Sequence, residues 1–290
     1  MAEVKDYAGE NQRILNEWCE KFVQDKLKDK EYDGYEREKY FAKDGLMNRG
    51  DFEYKDGVWL RKMSEGGIEE NKLWREAPLR IIFLTKDENT GGDEAWDVRQ
   101  ETFYAKYKER EVNTFSNSFF YQNEACLLYG LLHTNLHNGL FDFEKFSWEE
   151  ALQFSNEQIF ARINCKKEVG YEKIDDKDLL RSIMIEKYDK NYLKEQITSL
   201  DADVFICCGS RSDKNIILDT LNECYDKKFK WISYATWFNE DENKLAIDAY
   251  HLSFFKYGGL KARYDEVVGV YYNFIKYLHD EKGIDFTRHR

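Results

Sequence analysis

Short apolar runs separated by amphipathic stretches constrain this chain more than any other feature. Residues 81–84 (IIFL), 160–167 (FARINCKK), 202–208 (ADVFICC) and 245–249 (LAIDA) read as strands, with WISYATWF as a further one. Helical spacing of apolar residues marks the stretches 10–28, 123–137, 178–200 and 264–278. Strands that alternate with helices predict an α/β fold, a three-layer α/β/α sandwich around a central, mostly parallel sheet.

Size and composition fit one such core. The chain has 290 residues, 42% apolar and 16% aromatic, enough to bury a substantial interior. Its single proline, Pro78, stands just before the first apolar run and marks a boundary. Residues 1–77 are expected to form a helical and irregular elaboration packed on an α/β domain of residues 78–290. No apolar run is long enough for a membrane span, and MAEVKDYAGE lacks the features of a signal peptide, so a cytoplasmic location without membrane association is expected. The six cysteines show no CxxC spacing and read as reduced thiols, with no metal site or cofactor implied.

The first strand runs into TKDENTGGDE, and chemistry in open α/β sheets lies beyond the carboxyl ends of strands. A late stretch, DAYHLSFF, has the same form, a short strand followed by a lone histidine, a serine and two aromatics. Together these stretches resemble the two signature motifs of the uracil-DNA glycosylase superfamily. The resemblance implies that fold for residues 78–290, and it gives Asp87 the position of the residue that orients the attacking water. His251 and Ser253 match the late loop, whose histidine faces the excised base. Glu88 and Leu252 stand where that family usually has proline. Two weaker echoes lie between: FARINCKK, in which Asn164 would read a base edge, and VFICCGS.

What the resemblance implies is a hydrolase that cleaves the N-glycosidic bond of a flipped uracil or other damaged or modified base, an activity of DNA base-excision repair. Asp87 and His251 would be catalytic. Lys86, Glu88, Asn89, Phe115, Asn164, Ser253, Phe254 and Phe255 would contact substrate, with Phe119 and Phe120 as rivals to Phe115 for stacking on the base. Cleavage leaves positive charge on the sugar and negative charge on the base, so an anion near the first and a donor near the second suit the reaction.

Charge bears on the partner. With 44 basic and 56 acidic residues the formal net charge is −12, so nucleic-acid binding requires cations gathered on one face. Lys166 and Lys167, Arg211 and Lys214, and Lys256, Lys261 and Arg263 follow the motifs and could form such a rim. The alternatives are a non-catalytic member of the fold that binds a nucleotide, nucleic acid or protein, and a hydrolase of free nucleosides or nucleotides.

Overall fold

A computed structural model describes residues 5–26, 36–55, 58–86, 94–101, 104–107, 110–113, 119–145, 147–169, 184–185, 187–209, 215–253 and 259–286. Among these, a seven-stranded sheet organises the chain. Its four central strands are β7 (Ala161–Asn164), β4 (Ile81–Thr85), β8 (Val204–Gly209) and β11 (Lys244–Tyr250), adjacent in that order and parallel. β1 (Gly45–Leu46) adds an antiparallel edge beside β7, and the hairpin of β9 (Lys230–Ser233) and β10 (Thr236–Asn239) adds the other edge beside β11. The expected strand in WISYATWF is therefore two strands. They turn at Ala235, which holds φ 55° although it is not glycine.

Period-two alternation divides each central strand between two apolar layers. Ile82, Leu84, Phe205 and Cys207 face one side, with α1 (Tyr7–Lys26), α2 (Ile68–Glu76), α6 (Tyr192–Leu200) and α7 (Ile216–Cys224). Ile81, Phe83, Ile206 and Cys208 face the other, with α4 (Phe119–His133), α8 (Gly259–Tyr264) and α9 (Val270–Lys282). Strands buried on both faces need apolar side chains in nearly every position, which is why their sequences read as unbroken runs. No helix among the described residues is long and apolar enough to cross a membrane.

Several local expectations are corrected. The charged stretch after Glu101 was expected to be a solvated helix or loop; after the short helix α3 (Val98–Glu101) it pairs β5 (Tyr104–Tyr107) with β6 (Arg110–Asn113). A further hairpin joins β2 (Phe52–Lys55) to β3 (Val58–Arg61). Within the expected helix 178–200, α6 begins only at Tyr192, where Asn191 Oδ1 accepts from the Lys194 amide at 2.9 Å, and residues 178–183 lie outside the described set. The helix after β8 was expected to open at Gly209 and Ser210. α7 instead starts behind Asn215, whose Oδ1 accepts from the Ile217 amide at 3.0 Å. A Cβ on Gly209 would lie 2.0 Å from that same Asn215 oxygen, so close packing requires the glycine.

Residues 1–77 do more than wrap a core. They supply β1 to the central sheet, and α1 covers one of its faces. α5 (Trp148–Glu157) packs on α4 and ends against Arg49, half-buried in the same N-terminal segment, whose guanidinium donates to the carbonyl of Ser155 at 3.2 Å and to that of Gln158. Burial, with Arg61 adding to it, lowers the Arg49 pKa to about 9.

Candidate functional site at the carboxyl edge of the sheet

Because β7, β4, β8 and β11 are parallel, their carboxyl ends share one edge. The register pairs Thr85 with Asn164 and Tyr250 with Gly209, so Asn164, Thr85 and His251 emerge along a single line. The chain order of these strands, β4 then β7 on one side and then β8 and β11 on the other, reverses between β4 and β8. In open α/β sheets a crevice forms at that reversal.

Asn164 is buried at the end of β7. Its Oδ1 accepts from the Thr85 hydroxyl at 2.5 Å, so Thr85 decides which way the amide faces. Among the described residues no acceptor is paired with Nδ2. The backbone of Asn164 is held from behind, its N–H donating to Asp44 Oδ2 at 2.8 Å and its carbonyl accepting from Lys167 Nζ at 2.8 Å.

His251 follows β11 directly. Its Nδ1 accepts from the Ser253 hydroxyl at 2.7 Å and from the Ser253 amide at 3.3 Å, an arrangement that puts the ring proton on Nε2. Leu252 is buried, and its carbonyl accepts from Asn123 Nδ2 of α4 at 2.5 Å. The His251 ring lies 5.8 Å from that of Phe120, one helical turn before Asn123. Phe120 in turn covers the Arg162 guanidinium of β7 at 5.1 Å, as does Tyr121 at 5.0 Å. Arg162 is bidentate to Glu124, with its Nε donating to Oε1 at 2.8 Å, and both residues are buried. The first turns of α4 thus join the strand bearing Asn164 to the loop bearing His251.

Of the sequence-predicted residues, Asn164, Lys86, His251 and Ser253 come to this edge. Lys86 is half-buried and its carbonyl accepts from the Lys166 amide at 2.8 Å. Asp87, Glu88, Asn89, Phe115, Phe254 and Phe255 lie outside the described residues. Phe120, the rival to Phe115, sits against His251, whereas Phe119 is exposed.

The basic rim is where the structure departs most from expectation. Lys166, Lys167 and Arg263 are buried, and the Arg263 guanidinium lies 4.7 Å over the Tyr250 ring. Lys261 is exposed but stands 3.7 Å from Asp265 and 4.0 Å from Glu144. Arg211, Lys214 and Lys256 are outside the described residues. Three of the expected surface cations are therefore interior, where Lys167 balances Asp44 and Arg263 covers Tyr250.

The residues that sequence reasoning missed are Thr85, Asp44, Asn123, Glu124 and Arg162. Two of them left a signal. An arginine inside the buried run FARIN and a glutamate inside the apolar helix NEACLLYGLL each announce a buried charge that needs an opposite partner. The cysteines carry no chemistry of this kind. Burial raises the Cys207 and Cys208 thiols well above their ordinary value, so neither supplies a thiolate. Compared with known proteins, the chain matches no family model, no curated protein and no solved structure.

Proposed function

We propose that this protein hydrolyses an N-glycosidic bond at the carboxyl edge of its central sheet, in the manner of the uracil-DNA glycosylase superfamily that its TKDEN and YHLSF stretches resemble. The observation that carries the reading is the alignment of Asn164 and His251 on one edge, joined through Phe120. Three strand spacings separate β7 from β11, about 14 Å, a span that side chains reaching inward reduce to the size of a nucleoside. In this reading Asn164 Nδ2 donates to an oxygen of the base. His251, held as the Nε2–H tautomer by Ser253, donates to the departing base as negative charge develops there. Asp87, which follows β4, orients water and stabilises the sugar cation.

A second reading is favoured by one observation, the burial of Lys166, Lys167 and Arg263. A free nucleoside or nucleotide needs no phosphate-binding rim, and the same edge residues would serve it.

One assay separates the two: release of free base from oligonucleotides carrying uracil, deaminated or modified bases, run beside the corresponding nucleosides and nucleotides. The expected result is release from at least one of these substrates, lost by about 100-fold or more in His251→Ala and in Asp87→Asn. Activity confined to oligonucleotides, falling steeply with salt, selects the DNA reading. Activity confined to monomers selects the other. Absence of release from every substrate refutes both.

A further inference from the structure

β1 is only two residues long, and its ladder to β7 stops early. Gly45 faces Arg162 and Leu46 faces Ala161, so the continued antiparallel register would bring Lys43 opposite Asn164. The chain departs before that point. Gly45 holds φ 118°, and a Cβ there would lie 2.4 Å from the Asn11 side-chain amide, so only glycine makes the turn. Lys43 is carried across to bridge Asp97 instead. Both backbone groups of Asn164 thereby lose the partners a longer strand would have given them.

Two charged side chains take over. Asp44 Oδ2 accepts from the Asn164 N–H, and Lys167 Nζ donates to the Asn164 carbonyl. The two also bind each other, with Nζ 2.6 Å from Oδ1 and 2.7 Å from Oδ2. Gln196 Nε2 of α6 donates to Asp44 Oδ1 at 3.0 Å and to Asn11 Oδ1 at 3.0 Å, and Asn11 Nδ2 of α1 donates to the Asp44 carbonyl at 3.2 Å. All five residues are buried, Asp44 and Gln196 at 0% exposure. An ion pair in such a place is a costly way to end a sheet edge, since desolvation opposes it and apolar residues close edges as well. What it supplies instead is charge-assisted hydrogen bonds on both backbone groups of one residue.

We infer that Asp44 and Lys167 are positioning residues for Asn164, fixing its backbone while Thr85 fixes its amide, so that Nδ2 is presented in one direction to a bound base; this rests on the reading of Asn164 as the base-contacting residue. Neither touches the substrate. The pair acts through Asn164 alone.

The test is Asp44→Asn combined with Lys167→Met, which removes both charges together and leaves no unpaired ion. This paired variant is expected to unfold at a somewhat lower temperature, because the Asn164 carbonyl loses its donor, but to stay folded at the assay temperature, where kcat falls at least about tenfold and KM stays within about twofold. Adding Asn164→Ala to it is expected to cost nothing beyond Asn164→Ala alone. Full activity in the paired variant, or losses that multiply with Asn164→Ala, would overturn the inference. The assignment of Asn164 fails separately, if Asn164→Ala alone leaves activity intact or if the wild type releases no base. In either case NMR decides on the pair: the Asn164 side-chain amide is expected to give one resolved, slowly exchanging signal in the wild type that broadens or splits in the paired variant. An unchanged signal overturns positioning. Asp44→Asn combined with Lys167→Gln, which also leaves no unpaired ion and keeps a donor toward the carbonyl, replaces the first paired variant in every measurement if that variant does not fold.

Discussion

The two ends of the central sheet handle charge in opposite ways. At the amino edge, Arg80 at the start of β4 lies 3.1 Å from Asp201 and 3.5 Å from Asp203, while Lys244 at the start of β11 donates to Asp201 at 2.6 Å. The side chains of Lys244, Arg80 and Asp203 are 5%, 13% and 19% exposed, but that of Asp201, which joins them, is 43% exposed, so this network is wet on its Asp201 side. At the carboxyl edge, Arg162 with Glu124 and Lys167 with Asp44 are pairs whose side chains are no more than 5% exposed. Solvated pairs add little stability. Dry pairs are retained at the expense of desolvation, and here both pairs involve residues of β7 or its exit, the strand that ends in Asn164. The contrast teaches that charge at the carboxyl edge is there to hold geometry, at the end where open α/β sheets bind ligands.

The largest test of that contrast is to break one pair at each edge. Glu124→Ala strands a buried guanidinium and is expected to cost about 3–5 kcal/mol in urea unfolding. Asp201→Ala at the wet edge is expected to cost clearly less, because Asp201 is solvated, Lys244 keeps the Ala202 carbonyl and Arg80 keeps Asp203. Equal losses would remove the distinction. A sharper form replaces the whole dry pair, Glu124→Leu with Arg162→Met, which is expected to change stability by about 1 kcal/mol or less because no charge is left unpaired. A loss as large as that of Glu124→Ala would mean that the pair is itself a major source of stability.

An intermediate effect is expected where the dry edge meets the late loop. Asn123→Ala leaves the buried Leu252 carbonyl without its donor, a loss of about 1–3 kcal/mol. Amide exchange should quicken at Leu252 and Ser253 before it does in β11. Uniform quickening across both would show that the loop and the strand open together, and that Asn123 is part of the core rather than a support for His251.

The fold was more legible in the sequence than the site, for a physical reason. β4, β7, β8 and β11 are buried on both faces, so their composition alone betrays them. β1 is two residues long, too short for any period, and the hairpin from Tyr104 to Asn113 alternates charges in a way that also suits a solvated helix. His251 and Asn164 were visible through local motifs. Their supports were not, because each partner lies far along the chain. Lys167 reads as a surface lysine until Asp44, 123 residues earlier, is placed beside it. Asp44 itself sits in one of three Asp-Gly pairs, with nothing local to distinguish it from Asp33 or Asp56.

The smallest expected effect, and the most direct probe of the wet edge, is the pH dependence contributed by Asp201. Burial pushes its carboxyl up, but the hydrogen bond and charge of Lys244, together with the charge of Arg80, outweigh that and hold it below its ordinary value near 3.8. The unfolded chain therefore binds a proton at Asp201 more readily than the folded one does. The stability this provides is present above the ordinary value and is lost as pH falls through the folded one. Asp201→Asn should thus unfold slightly more easily than the wild type at about pH 7, by well under 1 kcal/mol since the group is screened by water, and the charge-dependent part of the difference should fade as pH falls through the folded value. It should also shrink in about 1 M salt. A difference that persists unchanged in acid would show that Asp201 contributes through shape and hydrogen bonding rather than charge, and the wet edge would then resemble the dry one more closely than its exposure suggests.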